Sequence, residues 1–269
     1  MAAGTSETAY PGHPIFAAGR AFDAEALRRE LAAGVDPDAV LLHDAVVLDR
    51  LTCPPFSGAR IRERLECIAV LLEAGASVDK LVYPGADCGG MRARGTLLWH
   101  AVGNRHAPPE YHAVIVTLLE AGADPNFTTT RWGESVLATA ASMGSAGTVR
   151  MLLSAGASDL DRALVLAIEN GKQRNCTPLL RAGAAIPWHV SQEWPVRSDP
   201  QTLAYIRRIR ATWGGFKAYE KAHRQHLAAI FLAKFPVLPV EMLERIVEFS
   251  YNCGGPSNCP SIAPKYLLD

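Results

Sequence analysis

The sequence predicts an all-α fold, a repeat solenoid of about five helix-turn-helix units with short hairpin fingers, closed by C-terminal helices. Three observations predict it. A Leu-rich phrase ending in Ala-Gly occurs five times along the 269 residues. An apolar phrase with alanine in its sixth position stands upstream of each. In three of the five units the interval from that alanine to the glycine is the same 16 residues: Ala18 to Gly34, Ala140 to Gly156 and Ala167 to Gly183. Self-similarity at such a period marks units that cannot bury their apolar face alone and do so by stacking on their neighbours.

The downstream phrase reads LRRELAAGVD to Asp36, IAVLLEAGASVD to Asp79, IVTLLEAGADPN to Asn126, VRMLLSAGASD to Asp159 and TPLLRAGAAI to Ile186. Its glycines, Gly34, Gly75, Gly122, Gly156 and Gly183, are 41, 47, 34 and 27 residues apart. Ile68, Leu71 and Leu72 have helical spacing and can bury one face of a short helix. The glycine then falls where the helix must stop, because a left-handed residue past the last turn meets no Cβ clash in glycine. The Asp-Pro and Ser-Val-Asp that follow are turn chemistry.

The upstream phrase reads His13-Pro-Ile-Phe-Ala-Ala18, Val40-Leu-Leu-His-Asp-Ala45, Thr96-Leu-Leu-Trp-His-Ala101, Ser135-Val-Leu-Ala-Thr-Ala140 and Arg162-Ala-Leu-Val-Leu-Ala167. Together the two phrases resemble the ankyrin repeat, whose first helix opens T-P-L-H-x-A and whose second ends L-L-x-x-G-A-x-x-N. The resemblance covers residues 13–187. The second unit departs from it by 14 extra residues around Arg50–Gly58, and the third by 5 around Asn104–Pro109. The turn after Gly75 runs long, through Tyr83–Arg94.

The resemblance implies a concave groove, formed by first helices and finger turns, that binds a protein partner. The variable fifth position of the first-helix phrase then exposes Ala17, Asp44, His100 and Thr139. The fingers add Tyr83, Arg92 and Arg94, and Arg131 with Trp132. Arg, Trp and Tyr are the residue types that dominate binding energy at interfaces. Trp99, standing where the family has histidine, is expected to pack inside.

The chain therefore divides into an N-terminal tail (1–12), the repeat array (13–187), a linker (188–200), a helical region (201–252) and an irregular tail (253–269). In the helical region Leu203, Ile206, Ile209 and Trp213 form an apolar stripe broken at Gly214-Gly215. A second run, Ala222 to Phe235, is expected to bury Leu227, Ile230 and Phe231. The segment 238–250 then reads LPVEMLERIVEFS. It resembles the opening of an F-box, L-P-x-E-h-h-x-x-I-h-x-h, which implies docking of Leu238, Pro239, Leu243, Ile246 and Val247 on the adaptor of a cullin ubiquitin ligase. The sequence after Ser250 does not supply the further helices of a full F-box, so a helix that caps the solenoid is the competing expectation. The close, Pro260–Leu268, is faintly similar to the end of a SOCS box.

Composition limits the other classes. Apolar residues make up 49% and charged ones 20%, enough for a core. Lys and Arg number 27 and so do Asp and Glu, for a net charge of zero. Such balance argues against a chain built mainly to coat nucleic acid or membrane. No stretch reaches the roughly 20 apolar residues of a membrane span, and the expected place is the cytosol or nucleus. The six scattered cysteines read as reduced thiols. Phosphate-loop, H-E-x-x-H and G-x-S-x-G motifs are absent from the sequence, so neither catalysis nor a cofactor is expected. His223, His226, Cys253 and Cys259 could supply zinc ligands, but without the tight paired spacing of a zinc site. The basic run Arg207, Arg208, Arg210, Lys217, Lys221 and Arg224, against Glu220 alone, is expected to be the wet side of a helix pair. The sum of these expectations is a monomeric, non-enzymatic protein-interaction scaffold.

Overall fold

Each of the five recurring glycines ends a helix. In the computed structural model Gly34, Gly75, Gly122, Gly156 and Gly183 have φ of +90°, +91°, +90°, +89° and +103°. They follow Ala24–Ala32 (α2), Ile61–Glu73 (α3), His112–Glu120 (α5), Ala146–Ser154 (α7) and Gln173–Ala182 (α9). The amide after each glycine donates back to a carbonyl in the last turn: Val35 to Glu30, Ala76 to Leu71, Ala123 to Leu118, Ala157 to Leu152 and Ala184 to Leu179, all at 2.9–3.2 Å. This is the bond that a left-handed residue makes possible, and it satisfies carbonyls the helix cannot satisfy itself.

The structure describes residues 13–38, 60–81, 94–103, 111–129, 133–186 and 199–234, with Pro239, Met242, Arg245 and Ile246. The remaining six of the eleven helices among the described residues are Pro14–Ala21 (α1), Leu97–Val102 (α4), Val136–Met143 (α6), Leu160–Glu169 (α8), Pro200–Ala211 (α10) and Gly215–Lys234 (α11). The fold is mostly helical. Five starts follow from an oxygen-bearing residue placed just before the first turn. Asp23 accepts from the Ala26 amide, Ser135 from Ala138, Ser145 from Thr148 and Asp199 from Thr202, at 2.9–3.1 Å, while Thr96 takes the Trp99 amide at 3.3 Å.

Packing is between neighbours. Helices α1, α4, α6 and α8 each lie on the helix that follows, and helices of like kind also meet. One row runs α4, α6, α8 and the other runs α2, α3, α5, α7, α9. The α9 helix then meets both α10 and α11. The core is continuous along these rows, with Ile15, Leu27, Ile68, Leu71, Leu98, Trp99, Leu118, Leu137, Leu152, Leu164 and Leu179 buried. A finger is visible between α5 and α6: Thr128 and Ser135 form an antiparallel bridge, and Thr129 and Val136 donate to Glu134 and Phe127.

Two expectations about the C-terminal helices need correction. Ile206 and Ile209 are buried and Leu203 half-buried, but Trp213 is 98% exposed. Thr212 has ψ of 118°, which ends α10 before Trp213 is reached, so the side chain leaves the stripe. The second helix begins at Gly215, not at residue 222, and Ile230 on it is 42% exposed.

Candidate interaction surface

The turns after the five glycines are tied to one another by a repeated bond. The amide two residues past a glycine donates to an acidic or amide side chain four or five residues past the preceding glycine. Ser77 N–H reaches Asp38 Oδ1 at 3.0 Å, Asp124 N–H reaches Asp79 Oδ1 at 3.1 Å and Ser158 N–H reaches Asn126 Oδ1 at 3.0 Å. Ala185 N–H reaches Asp161 Oδ1 at 2.7 Å. In the first three the acceptor lies four residues beyond its own glycine, and in the fourth, five. Extra rungs brace the ladder. Lys80 Nζ donates to the Asp38 carbonyl at 2.7 Å, Asn126 Nδ2 to the Gly156 carbonyl at 3.2 Å, and Ser135 Oγ to Asp159 Oδ2 at 2.6 Å. Side-chain–backbone bonds of this kind replace water as the partner of turn amides and hold successive turns in one line.

A second set of bonds lies at the other ends of the helices. Asn175, buried in α9, points its amide at α6, with Nδ2 2.8 Å from the Ala141 carbonyl, 3.2 Å from that of Gly144 and 3.5 Å from that of Ala140. It thus serves the carbonyls left over at the end of a helix from the unit before. His112 Nε2 sits 3.0 Å from Ser145 Oγ, tying α5 to the start of α7. Burial and then the Arg150 charge hold the His112 imidazole below its ordinary value, which favours the neutral ring. Among the described residues no carboxylate is bonded to that ring, and Ser145 Oγ already accepts the Thr148 amide. The pair thus ties two neighbouring second helices together. Beside it a polar cleft of about 590 Å³ is lined by Ser145, Lys172, Gln173, Asn175, Asp199 and Gln201.

Two first-helix residues expected at the concave surface are inside the molecule. Thr139 has no exposed area, and its Oγ1 accepts the Trp99 indole N–H at 2.8 Å. His100 is 5% exposed and lies edge-on to the Trp99 ring, centroids 4.9 Å apart. The physical reason is Trp99 itself. Its bulk is accommodated where Gly95 offers no side chain, since a Cβ there would stand 2.3 Å from the ring. The indole nitrogen then needs a buried acceptor, and Thr139 of the following unit provides it. Trp99 packs as expected, fully buried.

Of the remaining expected partner-binding residues, Arg94 is exposed, as is Ala17. Asp44, Tyr83, Arg92, Arg131 and Trp132 lie outside the described residues. So do Leu238, Leu243 and Val247 of the F-box-like segment, whereas Pro239 is exposed and Ile246 half-buried. Cys253 and Cys259 are also outside. Among the described residues no group of three or more His, Cys, Asp or Glu side chains converges as a metal site would, and no helix is long and apolar enough to cross a membrane. His223 is stacked flat on Tyr219, 5.9 Å between centroids.

Cys67 and Cys176 are fully buried. Burial, with help from Glu66 and Asp23, pushes the Cys67 thiol up to about 11. Burial alone pushes Cys176 up to about 12. Both behave as small apolar groups rather than as nucleophiles. Sequence reasoning singled out neither Asn175 nor the His112–Ser145 pair. Ser145 was legible only as a residue suited to start a helix, which does not point to His112.

Comparison with known proteins finds no family whose profile matches the chain and no curated protein similar to it.

Proposed function

We propose that this protein is a non-enzymatic recognition module, an ankyrin-like solenoid that grips a protein partner along its finger turns. The observation that carries this is the ladder from Asp38 through Asp79 and Asn126 to Ser158. It lines up the turns before any partner arrives, so that little ordering cost falls on binding. With His100 and Thr139 buried, the binding energy is assigned to the fingers, above all to Arg94, Arg131 and Trp132. Arg131→Ala combined with Trp132→Ala is expected to weaken a partner recovered by affinity purification by about 2 kcal/mol or more in a titration. Unchanged affinity would place the interface elsewhere.

A ubiquitin-ligase adaptor role for the segment 238–250 is a second, subordinate proposal. Its support is the residue pattern, together with Met242, which is 50% exposed on that segment. Co-purification with a cullin adaptor, lost in Leu243→Asp with Ile246→Asp, would establish it. A chain that retains every partner in that variant would reduce the segment to a cap.

A further inference from the structure

A whole-chain net charge of zero conceals a strong segregation. Residues 200–234 carry seven Lys and Arg against one acidic residue, a net of +6, and the rest of the chain carries 20 against 26, a net of −6. Charge asymmetry of this kind is what whole-chain totals hide.

The structure removes even the one counter-charge from the surface. Glu220 is buried on the inner side of α11, where Arg181 Nε lies 2.7 Å from its Oε1 and Arg224 is 3.8 Å from its Oε2. Phe216, Tyr219, Glu220, His223 and Leu227 form the inward stripe of α11, all buried or half-buried. Lys217 and Lys221, four apart, stand exposed to one side of that stripe. Across the corner, Arg207 and Arg208 of α10 are exposed as well. At the apex between the two helices stands Trp213, on a turn that Gly214 (φ +93°) and Gly215 (φ +68°) reverse. Its indole is 98% exposed, an extreme value for the largest apolar side chain.

We propose that this corner docks on an anionic lipid bilayer, with Trp213 seated at the headgroup level and Arg207, Arg208, Lys217 and Lys221 against the negative surface. Tryptophan is the side chain that prefers the membrane–water interface, because its ring is apolar and its N–H remains satisfied there. Clusters of four or more basic residues beside it gain from the negative surface potential. The shape selects a plane over a strand. A single-stranded nucleic acid is held in a basic groove between stacking rings, whereas Trp213 is 98% exposed in the turn between two helices and no ring is stacked on it among the described residues. One inserted aromatic group with several charges gives reversible, salt-sensitive attachment rather than permanent anchoring. The surface lies beyond the ladder of turns, so a protein bound along the fingers and a membrane bound at this corner need not compete.

The test is flotation of the full chain with vesicles of phosphatidylcholine alone and with about 30 mol % phosphatidylserine. The expected result is partitioning at least about tenfold stronger to the anionic vesicles, falling steeply as salt is raised. Lys217→Glu with Lys221→Glu should lower it about tenfold or more, and Trp213→Ala about threefold. Arg207→Gln with Arg208→Gln gives a second, independent loss of charge on the other helix. Equal partitioning to both vesicle types, absence of binding to either, or variants that float like the parent would overturn the proposal. So would tight binding of a single-stranded oligonucleotide by a chain that ignores vesicles.

Discussion

The Trp99 indole N–H donates to the Thr139 hydroxyl at 2.8 Å, and neither side chain has exposed area. The bond crosses from α4 to α6, so one unit's largest side chain is satisfied by its neighbour. Stability at this seam depends on a polar match as well as on apolar fit.

Removing the acceptor while keeping the shape isolates that match. Thr139→Val leaves a buried N–H without a partner, and the expected loss is about 1–3 kcal/mol in urea unfolding. Thr139→Ser should keep most of the stability. A Val variant as stable as the parent would show that the bond contributes nothing.

Asn175 makes a sharper prediction, because its amide can donate and a carboxylate cannot. Asn175→Ala should cost about 2 kcal/mol and speed hydrogen exchange in the last turn of α6. Asn175→Asp should be worse at neutral pH, setting a negative charge against the carbonyls of Ala141 and Gly144. If Asp is the milder change, the bonding direction is wrong.

The buried thiols fix a pH window. Cys67 and Cys176 are held at about 11 and about 12, above the ordinary 9.0. Below pH 9 both states keep the protons and stability is unaffected. As pH rises through 9 the unfolded chain loses its thiol protons first, so stability falls from there toward 11 and beyond. Cys176→Ala should flatten that decline, and in the native parent both thiols should resist a thiol reagent at pH 8. Rapid labelling under native conditions would contradict their burial.

His112 works at the acid end. Its imidazole is held below the ordinary 6.5. Below pH 6.5 the unfolded chain takes up that proton while the folded chain resists it, so stability falls on acidification. His112→Gln should lessen the fall between pH 7 and pH 5 in a series of urea midpoints. An identical slope in parent and variant would assign the acid sensitivity elsewhere.

Helix ends were the most legible part of the chain. A glycine after Leu-x-Ala has one inexpensive backbone conformation at a helix stop, and all five recurring glycines adopt it. Asp and Asn beyond the first four glycines were legible as turn residues, but their bonds to the next turn depend on how closely the units stack. His100 and Thr139 were misplaced because a position within the resembling phrase says nothing of how large its neighbour is. Trp99 decided that, drawing Thr139 inward to meet its N–H. Trp213 erred in the opposite direction: its spacing suited a stripe that ends one residue too soon.

Local chemistry in the chain itself settled where helices start and stop and which residues are apolar enough to pack, since caps, turns and periodicity act over a few neighbouring residues. Tertiary structure alone decided which polar groups meet across units, and where charge is left uncovered. Burial turns Glu220 inward to Arg181 and leaves Lys217 and Lys221 facing out. The physical reason is that desolvation forces buried polar groups to find partners, and those partners lie far away in sequence.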